Sequence, residues 1–260
     1  MPDIARVSSL PRVTPSSIQD LECHYRYWVL RVKKDWPHRP MIRAVAFGVA
    51  VHETLRLCYH NRVGDKPCLD HVSAWARTAV WRGRWPAEGT DRSEETDKVI
   101  AAVCSFVEND ASDPEAVEGI IELEAQLGHP LIHDGEEIGI YSAKLDQILS
   151  RKSEKNRLVV REFKTTAPRI DLRECYLQLS QAKRKYPDFE NYAIEFLWLD
   201  QDGRVTMDVV DGNDLKGIHA IVREAAISAL IDTEHKTTTG EGCVYCPNRG
   251  RCPAQKAEGE

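Results

Sequence analysis

The sequence lacks the features that mark membrane and secreted proteins. No apolar run approaches the ~20 residues that a membrane-spanning helix requires. The first residues, MPDIARVSSLPRV, contain no apolar core segment, so we expect no secretory signal. Internal repeats and low-complexity tracts are also absent. Together these absences predict a globular protein of the reducing cytoplasm, with no membrane partner.

In a reducing compartment the eight cysteines are not expected to form four disulfides. Three of them, Cys243, Cys246 and Cys252, are spaced C-x2-C-x5-C within GCVYCPNRGRCP. Metal and cluster sites usually take four protein ligands, so this group needs a fourth from elsewhere in the chain. The spacing therefore predicts a metal or iron–sulfur site, and structural zinc and a cluster are both open on these residues alone.

Charge is unevenly distributed around a net value of −6. Residues 24–43 contain six basic side chains against one acidic side chain, a local charge of +5. Residues 93–137 contain thirteen acidic side chains against one lysine, a local charge of −12. A basic groove for an anion fits this polarity, and so do two ordinary solvated faces. Charge alone favours the solvated faces.

The hydrophobic periodicity changes from helical to strand-like along the chain. Helices are predicted near 16–32, 45–59, 68–82 and 93–109, the first with Ser16 and Gln19 at capping-box spacing. Strands are predicted at 118–127, 137–149 and 157–165, followed by a helix at 171–186. Two strands, 191–199 and 204–210, flank the turn sequence DQDG, and a last helix covers 213–231. The order predicts a mixed α/β fold with a helical insertion in front of the sheet.

Two of the predicted strands carry carboxylates in a suggestive arrangement. In VVREFKTT, Glu162 and Lys164 are two residues apart, so their side chains project from the same face of a strand. Asp146 lies sixteen residues earlier on the preceding strand, a gap that suits two neighbouring strands joined by a turn. Two carboxylates and one amine are therefore expected to converge at the sheet.

Such a group suits metal-assisted phosphodiester hydrolysis. Mg²⁺ and Mn²⁺ are hard ions held by oxygen ligands, which Asp146 and Glu162 supply. A nearby lysine places the attacking water and offsets charge that develops on the phosphate. By itself the pattern is equally that of a solvated sheet face, because surface strands often carry Glu-x-Lys.

Further residues extend the pattern on both sides. Gly48 precedes His52 by four residues on a predicted helix, where glycine permits close backbone approach and the imidazole can bind a metal. Gln178 lies on the helix after the Glu-x-Lys strand, where its amide can orient ligands or contact DNA. Glu124, one strand before Asp146, is an additional acid for the same site.

The order Gly-x3-His, Asp, Glu-x-Lys and Gln resembles the PD-(D/E)XK nucleases of the RecB-like branch. With C-x2-C-x5-C at the end, the chain is similar to the iron–sulfur exonucleases of that branch, including the CRISPR-associated RecB-like exonuclease and phage and AddB-type relatives. The resemblance implies a restriction-endonuclease-like mixed sheet flanked by helices. It makes Cys23, in QDLECHYRYW, the fourth ligand of a [4Fe–4S] cluster with Cys243, Cys246 and Cys252. The cluster then joins the N- and C-terminal segments.

The same resemblance assigns roles to the carboxylate group. It implies that His52, Asp146 and Glu162 are ligands of Mg²⁺ or Mn²⁺, that Lys164 is the catalytic lysine, and that Gln178 is the motif glutamine. It predicts one nuclease domain over 1–260, a helical insertion at 60–115, and a cluster module made of 16–34 with 240–255.

The function expected from the resemblance is a metal-dependent exonuclease that acts on single-stranded or frayed DNA ends in recombination, repair or phage DNA processing. A homo-oligomer is compatible with it. Two alternatives stay open. One is a CRISPR adaptation nuclease that trims spacer precursors with an integrase, and the other is a non-catalytic DNA-binding subunit.

Overall fold

The computed structural model describes residues 10–35, 42–63, 66–86, 89–113, 115, 119–151, 156–199, 203–239, 243 and 246–256. Residues 36–41, inside the basic segment, and residues 240–242, 244 and 245, inside the expected cluster module, lie outside the described part.

A six-stranded mixed sheet forms the centre of the fold. Its strands are β1 (Arg12–Val13), β2 (Ile120–His133), β3 (Glu136–Arg151), β4 (Arg157–Lys164), β5 (Asn191–Leu199) and β6 (Val205–Asp211). Strand β3 pairs with β2 along one edge, and with β1 and β4 along the other. Strand β4 then pairs in parallel with β5, and β5 pairs antiparallel with β6. The predicted strand at 118–127 was too short, because β2 continues to His133 before the turn at Asp134 and Gly135.

The first predicted helix, 16–32, is three segments rather than one. A 3-10 helix covers Pro15–Glu22, helix α1 covers His24–Tyr27, and a π-helical turn covers Trp28–Val32. The break has a local cause, since Cys23 adopts an extended backbone (φ −133°, ψ 106°). The capping prediction was also displaced, because the Thr14 amide donates to the Ser17 hydroxyl at 2.7 Å.

Three helices cover one face of the sheet: α2 (Arg43–His60), α3 (Val72–Arg82) and α4 (Arg92–Ala111). Helix α4 begins at an Asp91 N-cap, whose carboxylate accepts from the Ser93 and Glu94 amides. The three helices bury one core cluster that reaches the sheet at Phe163 and Leu197. No helix in the described part of the chain is long and apolar enough to cross a membrane.

The opposite face of the sheet is covered by α5 (Leu172–Lys185), which begins at an Asp171 N-cap. Its apolar side packs on a second cluster that includes Val160 and Ile194. The last predicted helix, 213–231, is again divided. A 3-10 helix covers Gly212–Leu215 and α6 covers Ile218–Ile231, because Gly217 turns the chain with φ +89°.

A buried ion-pair network ties α4 to the sheet next to the carboxylates. Arg161, on β4, is 1% exposed and contacts Asp110 at 2.7 Å and Glu195 at 2.7 Å. Arg151, on β3, contacts the same Glu195 at 2.8 Å. Tyr59 donates its hydroxyl hydrogen bond to Asp110. Ion pairs therefore hold β4, the strand that carries Glu162, to the neighbouring strand β5 and to helix α4.

Candidate active site

The sheet register places two of the predicted carboxylates across from each other. Strands β3 and β4 pair Gln147 with Arg161, so the next position along sets Asp146 opposite Glu162. Cross-strand partners of an antiparallel pair lie close together and share a face. The Phe163 amide donates to Asp146 Oδ2 at 3.0 Å, which fixes that carboxylate at the end of the pairing. The expected convergence of Asp146 and Glu162 is therefore present in the structure.

Lys164 lies beside Glu162, with Nζ 2.9 Å from Oε2. Glu162 is 5% exposed, and its other oxygen, Oε1, has no hydrogen-bond partner among the described residues. Burial, together with the nearby Asp146 charge, raises the pKa of Glu162 to about 7. Burial opposes the charge on Lys164 as well, but Glu162 outweighs it and raises the lysine pKa. The two carboxylates of Asp146 and Glu162 therefore share this site with the single ammonium group of Lys164.

Helix α2 brings His52 to the same place. Its Nδ1 lies 3.3 Å from Asp146 Oδ1. Burial disfavours the imidazolium, but the Asp146 and Glu162 charges outweigh burial and raise the pKa of His52. Burial likewise disfavours the Asp146 carboxylate, but His52 and the Phe163 amide hold its pKa below the ordinary value. An open groove of about 480 Å³ exposes His52, Asp146 and Lys164 to solvent.

Gln178 is buried on the face of α5 that packs against the sheet, and it is 4% exposed. Its Oε1 has no partner in the part of the chain that the structure describes. One turn earlier on the same helix, the Glu174 carboxylate interacts electrostatically with Lys164. Burial raises the pKa of Glu174. The sequence reasoning missed Glu174, although its position four residues before Gln178 places both side chains on one helix face.

Glu124 lines the same groove from strand β2. The pairing of β2 with β3 sets Leu123 against Gln147 and Ala125 against Leu145, so Glu124 lies opposite Asp146. Its backbone has φ +53°, a left-handed conformation that is uncommon for a side chain other than glycine. The carboxylate forms an ion pair with Lys144. Backbone strain of this kind is concentrated at functional sites, and here it adjoins the predicted metal ligands.

The donor set suits a hard divalent cation. No three His, Cys, Asp or Glu side chains among the described residues are gathered closely enough to form a finished metal site. The unpartnered Oε1 of Glu162 and the Asp146 carboxylate are nevertheless oxygen donors of the kind that Mg²⁺ and Mn²⁺ accept, and the His52 imidazole lies beside Asp146. Burial and the Asp146 charge raise the pKa of Glu162, and a cation bound here would stabilise the ionised carboxylate against both.

The four predicted cluster cysteines are all half-buried thiols. Burial raises the pKa of Cys246, and the neighbouring Cys23 and Cys252 thiols contribute to the same shift. The Cys246 amide donates to the Cys243 carbonyl at 3.2 Å, so the first pair of the motif forms a tight turn. The N-terminal cysteine and the tail motif thus lie in one region of the molecule.

Contacts outside the cysteines hold the tail beside α1. Asp232, just after α6, accepts from the Glu234, His235 and Lys236 amides and from His24 Nδ1 at 2.6 Å. Asn248, between the second and third cysteines, is 1% exposed, and neither polar atom of its side chain has a hydrogen-bond partner among the described residues. A polar or inorganic group bound beside Asn248 would satisfy this buried amide.

Comparisons with known proteins concern the family and the fold. A family model described as the PD-(D/E)XK nuclease superfamily matches residues 12–253. A crystal structure of a "Putative exonuclease" from Eubacterium rectale superposes with a TM-score of 0.52 at 10% identity, over 84% of this chain and 79% of that chain. The crystal structure of SSO0001 matches over 91% of this chain and 96% of that chain at 14% identity, with a TM-score of 0.37. A search of curated proteins gave no match.

The family match covers nearly the whole sequence, and the likeness to the Eubacterium rectale protein supports the fold. The chain belongs to the PD-(D/E)XK nuclease superfamily.

Proposed function

We propose that this nuclease is a metal-dependent exonuclease that hydrolyses the phosphodiester bonds of DNA at single-stranded or frayed ends. The observation that carries the proposal is the opposition of Asp146 and Glu162 across β3 and β4, with Lys164 Nζ 2.9 Å from Glu162. The superfamily supports nucleic acid as the substrate.

Each side chain has a task that its surroundings support. Asp146 and the unpartnered oxygen of Glu162 would hold the cation, with the His52 imidazole as a third ligand. Lys164 places the attacking water and offsets charge on the phosphate, because its ammonium group lies beside the carboxylates and faces the open groove. Gln178 positions the group from beneath, since it is buried against the sheet. Mg²⁺ or Mn²⁺, when bound, supplies neutralisation of the phosphate and a more acidic water.

We assign the four cysteines to a [4Fe–4S] cluster that joins the ends of the chain. Cys23 and Cys243 are 220 residues apart in sequence, so a group bonded to both closes a long loop. Supporting this assignment are the electrostatic effect of Cys23 and Cys252 on the Cys246 thiol and the orphaned amide of Asn248. Structural zinc is the competing occupant, because four thiolates satisfy it equally.

End dependence is the testable core of the exonuclease proposal. A linear single strand and its covalently closed circle would be incubated with protein and Mn²⁺, and nucleotide release measured for both. We expect the linear strand to be degraded and the circle to persist, because hydrolysis starts at an end. Rapid loss of the circle would contradict the exonuclease proposal and show endonuclease activity instead, because a circle has no end. Intact DNA in both tubes, with binding retained, would favour a non-catalytic DNA-binding subunit. The expected pathway partners, including a CRISPR integrase, stay predictions.

A further inference from the structure

A second cavity adjoins the catalytic groove. It has a volume of about 670 Å³ and lies between α2, α4 and the chain that follows β4. Thr165 and Thr166, directly after Lys164, line both the cavity and the catalytic groove. Phe47 lines the cavity from α2, next to Gly48, which lines the groove. The two spaces therefore adjoin each other at the Gly48 segment and the threonines.

The lining combines aromatic surface with a few polar groups. Phe47 presents a half-buried ring, and Ala101 and Pro168 widen the space around it. Trp198 also lines the cavity, and Thr206 is a polar residue of the same lining. The Thr165 and Thr166 hydroxyls complete the polar set. An apolar pocket with a few convergent polar groups is the usual form of a small-molecule site.

The charge of the lining selects against a phosphate in this cavity. Lys98 is the one cation among its described lining residues. That ammonium group is already paired with Glu94 and lies 3.4 Å from Glu95. The cavity thus lacks the free positive charge that would hold an anion. An uncharged, flat group fits the aromatic ring of Phe47 and the neighbouring threonines better.

We propose that this cavity binds an unpaired base of the DNA strand whose backbone lies at Lys164. The inference rests on the proposed function and specifies its substrate. A strand with its phosphate in the catalytic groove can pass the threonines and seat an adjoining base against Phe47. A paired base could not enter without leaving its partner, so the cavity would explain a preference for single-stranded or frayed ends.

Binding without a divalent cation tests the cavity apart from catalysis. Short single strands would carry an abasic nucleotide at each of the first four positions from either end, and their affinity would be measured by fluorescence anisotropy. We expect one position at which removing the base weakens binding about tenfold, the size of a lost base–aromatic contact.

Filling the cavity with a larger side chain should abolish the loss of affinity that base removal causes at that position of the strand. In the Ala101→Trp variant, the intact strand is expected to bind no better than the abasic strand. Ala74→Trp is the matched control, since Ala74 is exposed on α3 away from the cavity. Phe47→Leu, which keeps bulk but removes the ring, is the second variant and should lose most of the difference.

The outcomes separate the two proposals. Equal affinity for intact and abasic strands at every position would overturn the base site, and so would equal loss in Ala101→Trp and Ala74→Trp. Tight binding of blunt duplexes would also contradict it. Cleavage measured in parallel reports on the nuclease alone. An effect of base removal on binding, without cleavage, would support the base site and contradict the proposed function. Cleavage without any effect of base removal would support the proposed function and contradict the base site.

Discussion

A β-carbon on Gly48 would lie 2.9 Å from the hydroxyl oxygen of Thr165, too close for an ordinary contact. Gly48 precedes His52 by one helical turn, and Thr165 directly follows Lys164. The missing side chain therefore lets helix α2 approach the end of β4, and it sets the distance between two predicted catalytic residues.

Gly48→Ala is accordingly expected to slow DNA cleavage about tenfold or more, because the added methyl group pushes α2 away from β4. Among the described residues outside helix α2, the Thr165 hydroxyl oxygen is the atom that the new methyl group would meet, so Gly48→Ala combined with Thr165→Ala should recover most of the rate. Thr165→Val keeps the bulk and should not rescue. Steady-state cleavage of each single and double variant measures this. Equal rates with and without Thr165→Ala would contradict the contact as the cause.

The raised pKa of Glu162 predicts an unusual effect on stability. Its pKa is about 7 in the folded chain against an ordinary value of 4.5, so the folded state holds the proton more tightly between these values. Stability from this group is therefore full below pH 4.5 and falls as the pH rises toward 7.

Without divalent cations, Glu162→Gln should thus raise the melting temperature by several degrees at pH 8 and by little at pH 4.5. Differential scanning fluorimetry across this range measures the difference. Glu234→Gln, on the exposed surface, is the control. A Glu162→Gln variant that is less stable than the parent at pH 8 would show that the ionised Glu162 carboxylate does not destabilise the folded state.

The Arg161 network predicts a large loss of stability. Arg161→Met leaves the Asp110 carboxylate buried without its cation, and it takes one partner from Glu195. Breaking a buried pair in this way costs about 3–5 kcal/mol. Arg157→Met, on the same strand, removes a half-buried pair with Asp211 and should cost about 1 kcal/mol or less. Urea unfolding of both variants gives the comparison, and similar losses would count against the network.

The cysteine assignment predicts an inorganic content. Anaerobically purified protein should contain about four iron atoms and matching sulfide per chain. Cys23→Ser should lower both and loosen the tail, while Cys104→Ser, a half-buried thiol outside the set, should change neither. Iron and sulfide assays on the same samples decide this. Zinc without sulfide in the purified protein would contradict the cluster and identify a structural zinc site.

Local sequence patterns predicted most elements, because alternation and helical periodicity both report which face is buried. The pairing of β3 with β4 was also predictable, since Asp146 and Glu162 flank one turn. Breaks were harder to predict. Cys23 and Gly217 interrupt helices that periodicity alone would continue.

The catalytic motif shows the limit of short patterns. Glu234 and Lys236 also form Glu-x-Lys, with their ionic groups 3.7 Å apart, but both side chains are more than two-thirds exposed. Only the fold buries Glu162 beside Asp146. Three features depend on packing between distant segments, so a local sequence pattern does not predict them. They are the approach of Glu174 to Lys164, the left-handed backbone of Glu124 and the cavity beyond Thr165.

The most direct test compares these two lysines. Single-stranded DNA labelled at either end would be incubated with Mn²⁺ and wild-type protein, Lys164→Ala or Lys236→Ala, with DNA binding measured alongside. We expect wild-type protein and Lys236→Ala to release label, and we expect Lys164→Ala to be slower by about a hundredfold or more while it still binds DNA. Equal cleavage by the two lysine variants would contradict the assignment of the active site to Asp146, Glu162 and Lys164.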